Sequence, residues 1–125
     1  LRVRLAKAFD MPFDRICKHE FVASAATIHD RTGVRALDIA KVLLDHGFHP
    51  PTIYFPISVE EALLIEPTET ESKEELDAFV DAMIAIRREA ETEPDKLKGA
   101  PWTLPVRRLD DVRAAKQLDL TWKAA

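Results

Sequence analysis

One stretch of the chain decides the fold: Ile65-Glu66-Pro67-Thr68-Glu69-Thr70-Glu71-Ser72-Lys73. It joins a short apolar run to an amphipathic segment through a turn rich in carboxylates and threonines. Ser72 and Glu75 have the spacing of a capping box, in which each side chain can accept from the backbone N–H of the other residue. The stretch therefore predicts the end of a strand, a polar turn and the start of a helix.

The helix that follows this turn has one apolar stripe. Its apolar residues recur at the spacing i, i+3, i+4, i+7 and i+8 of an amphipathic helix: Leu76, Phe79, Val80, Met83 and Ile84. The pattern predicts a helix that ends between Ala90 and Thr92, ahead of Pro94, with this stripe in the core.

Upstream, three short segments have the composition of strands: His19–Ser24, Thr52–Pro56 and Ala62–Ile65. The segment Arg35–His46 predicts a helix that ends with Gly47 in a left-handed cap, and Asp30–Gly33 is predicted to be a polar loop.

The order strand, helix, strand, strand, helix lets the third strand insert beside the first, antiparallel to it. This predicts an α+β two-layer sandwich: a small, mostly antiparallel sheet with its helices on one face.

The two ends differ from this central domain. Residues 1–12 have a helical pattern without a preceding cap or an initiating methionine, so we expect a piece of a longer protein. Residues 13–92 form the predicted α+β domain. Residues 93–125 are polar and contain several prolines, which predicts an extended arm with a short helix begun by Asp110. Trp102 and Trp122 are the expected anchors of this arm.

The composition excludes several classes of protein. The net charge is −4 with both signs mixed along the chain, which is not the basic face of a nucleic-acid binder. No apolar run approaches the roughly 18 residues of a membrane span, and the single Cys17 cannot form an internal disulfide. We expect a soluble, cytoplasmic protein with no nucleic-acid or membrane partner.

Few side chains have the spacing of a reactive site. His46 and His49 lie three apart around a helix end without a third metal ligand, so no metal site is expected. Cys17 lacks an evident base. Arg107 and Arg108 are either an anion site or an exposed pair of charges.

The acidic turn Glu66, Glu69 and Glu71 leaves two interpretations open. Carboxylates before a helix favour its positive end, which accounts for them by helix-start chemistry alone. Alternatively, the same turn also lines a pocket.

Several blocks of the sequence resemble the glycine cleavage system P-protein, glycine dehydrogenase (decarboxylating). In order they are Asp14–Val22 (DRICKHEFV), Val34–Lys41 (VRALDIAK), Asp45–Thr52 (DHGFHPPT), Glu66–Ser72 (EPTETES) and Leu76–Phe79 (LDAF). The tail Pro101–Asp110 (PWTLPVRRLD) is similar to subunit 2 of the two-subunit bacterial and archaeal form.

The resemblance implies the small C-terminal domain of an aspartate-aminotransferase-like, type I pyridoxal-phosphate enzyme, with residues 1–12 as the end of the inter-domain connecting helix. The complete enzyme releases CO2 from glycine and transfers the aminomethyl group to the lipoyl group of the H-protein. Its cofactor lysine lies upstream, so no catalytic or cofactor-binding residue, and no bound cofactor, is expected in this chain. The chain alone is expected to be inactive.

The same resemblance makes four residues candidates for lining the substrate pocket: His49, Tyr54, Thr68 and Glu69. The implied partners are the large domain, the other P-protein subunit, the lipoylated H-protein and glycine. Without the large domain, the uncovered apolar surface is expected to let the chain self-associate. The alternative is a stand-alone α+β module that senses a small molecule or binds a protein, since two-layer sandwiches serve many functions.

Overall fold

The computed structural model describes residues 1–122, which form six helices and one three-stranded sheet. The elements are α1 Arg2–Leu5, β1 Phe21–Ser24, α2 Ala26–Thr32, α3 Ala36–Asp45, β2 Thr52–Ile53, β3 Ala62–Ile65, α4 Lys73–Thr92, α5 Pro94–Gly99 and α6 Asp111–Lys116. The α+β class predicted from the sequence is confirmed.

The sheet has the order β1-β3-β2, and both pairings are antiparallel. The predicted insertion of the third strand beside the first is therefore confirmed. Phe21 lies opposite Ile65 and Ala23 lies opposite Leu63. Because alternate residues of a strand point to the same face, these four side chains share one face of the sheet, and all four belong to the core.

The helices cover this face with apolar side chains that are almost completely buried. The largest of them are Ile28 from α2, Ile39 and Leu43 from α3, Val80, Met83 and Ile86 from α4, and Leu97 from α5. The stripe predicted for α4 thus faces the core at its centre. Among residues 1–122, no helix is both long enough and apolar enough to cross a membrane.

Helix α1 is shorter than its sequence pattern suggested, but part of its apolar side is buried in the core. Leu5 and Phe9 belong to the core, although only Arg2–Leu5 is helical. The Arg4 guanidinium donates to Asp77 at 2.6 Å and to Asp81 at 2.7 Å, which ties α1 to α4. That residues 1–12 are the end of a connecting helix stays a prediction.

The prediction of a loop at Asp30–Gly33 was wrong for its first three residues, which form the last turn of α2. Gly33 ends this helix with a φ of 72°, and its N–H donates to the His29 carbonyl at 2.7 Å. Only Ile28 of α2 is buried. One buried side chain in seven residues gives no helical period, so the helix was not evident from the pattern.

Helix α3 begins and ends as predicted. The Asp38 carboxylate accepts from the Arg35 N–H at 2.8 Å, and the Glu61 carboxylate accepts from the Ala36 N–H at 2.7 Å. These bonds satisfy N–H groups that have no partner within the helix. Gly47 has a φ of 82°, and the Phe48 N–H donates to the Leu43 carbonyl at 3.0 Å.

Strand β2 ends at Ile53, so the predicted strand Thr52–Pro56 was too long. Tyr54 has a φ of 59°, in the left-handed region that an L-residue seldom adopts, and the chain leaves the strand there. Its N–H still donates to the Ala62 carbonyl at 2.9 Å. A strand-like composition did not reveal this change of backbone direction.

Helix α4 begins at the predicted cap. The Ser72 hydroxyl accepts from the Glu75 N–H at 3.2 Å, and the helix runs to Thr92, within the predicted range.

The extended arm predicted from residue 93 was wrong at its start, because Pro94–Gly99 is helix α5. Pro94 occupies the first helical turn, where a missing N–H costs nothing. Leu97 and Pro101 are fully buried. The next turns therefore belong to the core, and the arm begins only beyond them.

The end of the described chain is exposed. Helix α6 is confirmed, with the Asp110 carboxylate accepting from the Arg113 N–H at 2.9 Å, but none of its residues is buried. Trp122 is also exposed, so its predicted docking does not occur within residues 1–122. Trp102 is anchored as predicted, because its indole N–H donates to the Lys96 carbonyl at 2.9 Å.

Candidate functional site

A cavity of about 450 Å³ lies where the turn after α3, the end of β3 and the first turns of α4 meet. Its walls come from three separate parts of the sequence and from the first residue: Leu1, Gly47–Thr52, Leu64–Thr68, Glu71, Glu75, Leu76 and Phe79. The stretch that decides the fold therefore also supplies one wall of this cavity.

The first wall is the turn that follows α3. Gly47 reverses the chain in a left-handed conformation, and Pro50 and Pro51 then hold φ near −65°. His49 stands between these fixed points and is exposed at the cavity. Its position is set by the backbone of the turn.

The second wall is the turn that follows β3. The Glu71 N–H donates to the Thr68 carbonyl at 3.2 Å, and the hydroxyls of Thr68 and Thr70 are 2.8 Å apart. These bonds close the turn locally and place Thr68 beside Pro67 in the cavity wall.

The floor of the cavity is apolar. The rings of Phe48 and Phe79 meet edge to face, with their centroids 5.6 Å apart and an interplanar angle of 83°. This arrangement places the positive edge of one ring against the negative face of the other. Leu64 and Leu76 extend the apolar surface.

The charged side chains of the lining are acidic. Glu66, Glu71 and Glu75 contribute carboxylates and His49 an imidazole, whereas no lysine or arginine lies among the described lining residues. An apolar floor below carboxylates suits a ligand with a small apolar part and a positive charge. Of the two interpretations of the acidic turn, the structure favours the one in which the turn also lines a pocket.

The four candidate residues are not all in one place. His49 and Thr68 line the same cavity, although they are far apart in sequence. Glu69 is exposed beside Thr68 but is not among the lining residues. Whether any of the four lines the substrate pocket of a complete enzyme stays a prediction.

Tyr54 lies elsewhere, near the start of α3. Burial, and then the negative charge of Glu61, raise the pKa of its phenol above the ordinary value of 10.0, while the backbone of Leu37 acts in the opposite direction. The phenol is therefore held neutral, beside the carboxylate that caps α3.

Some lining residues were predicted to have another function or none. Glu75 was considered only as a capping residue and Phe79 only as a packing residue, and Phe48 was not assigned to a site. Sequence spacing relates Glu75 to Phe79 on one helix face. It gives no signal that Phe48 meets Phe79, because that contact depends on how α3 and α4 pack.

The two arginines of the arm contact other parts of the chain. The Arg108 guanidinium pairs with Asp38 at 2.7 Å, and that of Arg107 donates to the Gly99 carbonyl at 2.8 Å. Arg107 also lies over the Trp102 ring, 4.2 Å from its centroid. Both side chains fasten the arm to the domain, a function that neither sequence interpretation included.

Other reactive groups lie outside the cavity. Cys17 is a free, half-buried thiol packed against the core. His29, Asp30 and Glu60 place possible metal-ligand atoms within 4.8 Å of one another. Both carboxylates are exposed, which is common without a metal, so this group carries no assignment.

Comparison with known proteins decides the family. Residues 1–100 match the family model for the glycine dehydrogenase C-terminal domain. This chain belongs to the glycine dehydrogenase C-terminal domain family.

Curated relatives extend the glycine dehydrogenase match beyond residue 100. The chain is 59% identical to the probable glycine dehydrogenase (decarboxylating) subunit 2 of Thiobacillus denitrificans, over 100% of the chain. Proteins of the same name from Bacillus velezensis and Treponema denticola are 60% and 52% identical, over 91% and 99% of the chain. The chain spans only about a quarter of the length of these relatives, between 23% and 26%.

Proposed function

We propose that this chain is the C-terminal small-domain part of subunit 2 of a glycine-decarboxylating P-protein. The complete enzyme would release CO2 from glycine and transfer the aminomethyl group to the lipoyl group of the H-protein, in the cytoplasm. The observation that carries the proposal is the match of residues 1–100 to the glycine dehydrogenase C-terminal domain, with 52–60% identity to proteins named subunit 2. The cavity that joins the His49 turn to the Thr68 turn is the candidate site within it. Both turns lie within the matched residues.

The lining of this cavity does not fit the cofactor that the proposed function implies. Pyridoxal phosphate needs an amine for its aldehyde and cationic or N–H donors for its phosphate. The described cavity lining offers no lysine or arginine, and its three glutamates would repel a phosphate. The cofactor and its lysine are therefore assigned to the rest of the enzyme, and no reaction step is derived through residues of this chain.

What the cavity offers is a surface for an amine-bearing substrate. The carboxylates of Glu66, Glu71 and Glu75 favour a positive charge, and the hydroxyl of Thr68 and the imidazole of His49 can donate or accept hydrogen bonds. The apolar floor excludes water from part of this surface. In the complete enzyme, we propose that this surface closes over the substrate and orients it.

The test uses the complete enzyme with both subunits and the H-protein. We expect His49→Ala and Thr68→Val each to lower the rate of glycine decarboxylation by about tenfold or more, the size of effect that positioning residues usually have. His46→Gln is the matched control, because His46 is exposed three residues away and does not line the cavity. It should leave the rate unchanged.

The two remaining candidates are assayed as Tyr54→Phe and Glu69→Gln. Neither side chain lines the cavity, so smaller losses are expected. Full activity of the folded His49→Ala and Thr68→Val enzymes would remove the cavity from the active site.

A stand-alone sensing module remains the competing function, and the fourfold greater length of the named relatives favours the enzyme.

A further inference from the structure

The segment of residues 109–122, called here the distal arm, leaves its large apolar side chains exposed. Leu109 and Val112 are exposed around α6, and Leu118, Leu120 and Trp122 are 69%, 87% and 86% exposed. The domain itself therefore does not cover this segment.

The distal arm leaves the domain from a fixed point. The Asp45 carboxylate accepts from the N–H groups of Trp102 and Thr103, each at 2.8 Å, and from the Thr103 hydroxyl at 2.8 Å. Further along, Arg108 pairs with Asp38 and donates to the Leu97 carbonyl at 3.3 Å. Residues 101–108 are thus held on the domain surface, and the direction of the distal arm is set by these bonds.

The distal arm has the pattern of a segment that binds a surface. A helix as short as α6 is marginal in water on its own, since isolated helices need about 12–15 residues or more. Beyond it, Leu118, Leu120 and Trp122 alternate with the polar Asp119 and Thr121. In an extended chain this alternation places the three apolar side chains on one side.

The distribution of this segment among relatives indicates what covers it. The glycine dehydrogenase domain model ends at residue 100, before the arm. The Thiobacillus and Treponema relatives align over 100% and 99% of the chain, which includes the arm, and both are named subunit 2. The arm therefore lies outside the match to the C-terminal domain model and inside proteins whose name implies a partner subunit.

We propose that the distal arm is an inter-subunit strap that binds subunit 1 of the glycine-decarboxylating enzyme. Leu118, Leu120 and Trp122 insert on one side into an apolar surface of that subunit, and α6 is stabilised by the same contact. This inference rests on the proposed function, because subunit 1 is the partner only if the chain is part of subunit 2.

The experiment measures the affinity of separately purified, complete subunit 1 for complete subunit 2 by titration calorimetry. The double variant Leu118→Asp and Trp122→Asp should raise the dissociation constant by about tenfold or more, as expected when central apolar anchors are lost. The matched control Gln117→Asp and Thr121→Asp adds the same charge at neighbouring exposed positions and should change it by less than about twofold.

Each outcome decides a different point. An unchanged dissociation constant for the Leu118 and Trp122 variant overturns the strap, as does a loss confined to self-association of subunit 2, which would make a second copy the partner. If wild-type subunit 2 forms no complex with subunit 1, the proposed function fails as well. If His49→Ala is fully active while the Leu118 and Trp122 variant binds subunit 1 more weakly, the cavity is rejected and the strap is supported.

Discussion

At the scale of single residues, Asp45 has the clearest structural function. Burial raises the pKa of its carboxyl, but the hydrogen bonds from Thr103 and Trp102, together with the positive charge of Arg107, outweigh this effect. The net result is a pKa below the ordinary value of 3.8. The ionised carboxylate therefore stabilises the folded state by holding the start of the arm.

The first prediction concerns the substitution Asp45→Asn. We expect the free energy of unfolding at pH 7 to fall by about 1 kcal/mol, because a partly exposed charged acceptor is replaced by a neutral one. Since the native pKa is lowered, this stabilisation is complete above the ordinary pKa and is lost as the pH falls through the native value. Urea denaturation at several pH values should show the difference between wild type and variant shrinking below pH 3.8.

The control for this prediction is Asp95→Asn. The Asp95 side chain is almost fully exposed and lies 3.7 Å from the Lys98 ammonium, so its loss should change stability by less than about 0.5 kcal/mol. An equal effect of both substitutions at every pH would contradict the assigned function of Asp45.

At the scale of secondary-structure elements, α5 shows how a polar segment can belong to the core. Half of the residues in Pro94–Gly99 are charged, yet Leu97 is fully buried. Gly99 is required for space, because a Cβ at this position would lie 2.5 Å from the Trp102 ring. Trp102 therefore packs directly on the end of the helix.

The second prediction tests this helix with Leu97→Ala. Removing a fully buried leucine side chain should lower the free energy of unfolding by about 2–5 kcal/mol, from lost apolar burial and the cavity left behind. Leu118→Ala, at an exposed position, should change it by less than about 0.5 kcal/mol. Both are measured by urea denaturation, and a loss below about 1 kcal/mol for Leu97→Ala would show that α5 is not part of the core.

At the scale of the whole molecule, large apolar side chains are exposed in several parts of the described chain. They occur in the loop before β1 and in the connection from β2 to β3 as well as in the arm: Phe13, Ile16, Tyr54, Phe55 and Ile57. Such exposed side chains are available to bind other protein. These positions are the ones a neighbouring domain or subunit would cover.

The third prediction is that the 125-residue chain, expressed alone, self-associates through this surface. Sedimentation velocity should show a sedimentation coefficient that rises with protein concentration. The double variant Ile16→Ser and Ile57→Ser should weaken this association, and it should fold normally because both side chains are more than 90% exposed. A wild-type chain that stays monomeric at the highest concentration would refute the prediction.

The sequence by itself determined the elements whose signals are local. The Ser72 cap and the stripe from Leu76 predicted α4, Gly47 predicted the end of α3, and local composition predicted the strands. Each of these signals acts over a few residues, so it can be recognised without knowledge of the remaining chain. The polar sequences of α2 and α5 gave no such signal. Each helix has one buried side chain, and the residues that bury it belong to other elements.

Only the tertiary structure decided which of these elements form the cavity. His49 and Thr68 line it together, and the edge-to-face contact of Phe48 and Phe79 joins the turn after α3 to α4 beside them. The tertiary packing also places the Arg108 guanidinium beside the Asp38 carboxylate, and this ion pair holds the arm on the domain. Contacts between residues so far apart in sequence depend on how whole faces pack, and no local pattern of residue types encodes that packing.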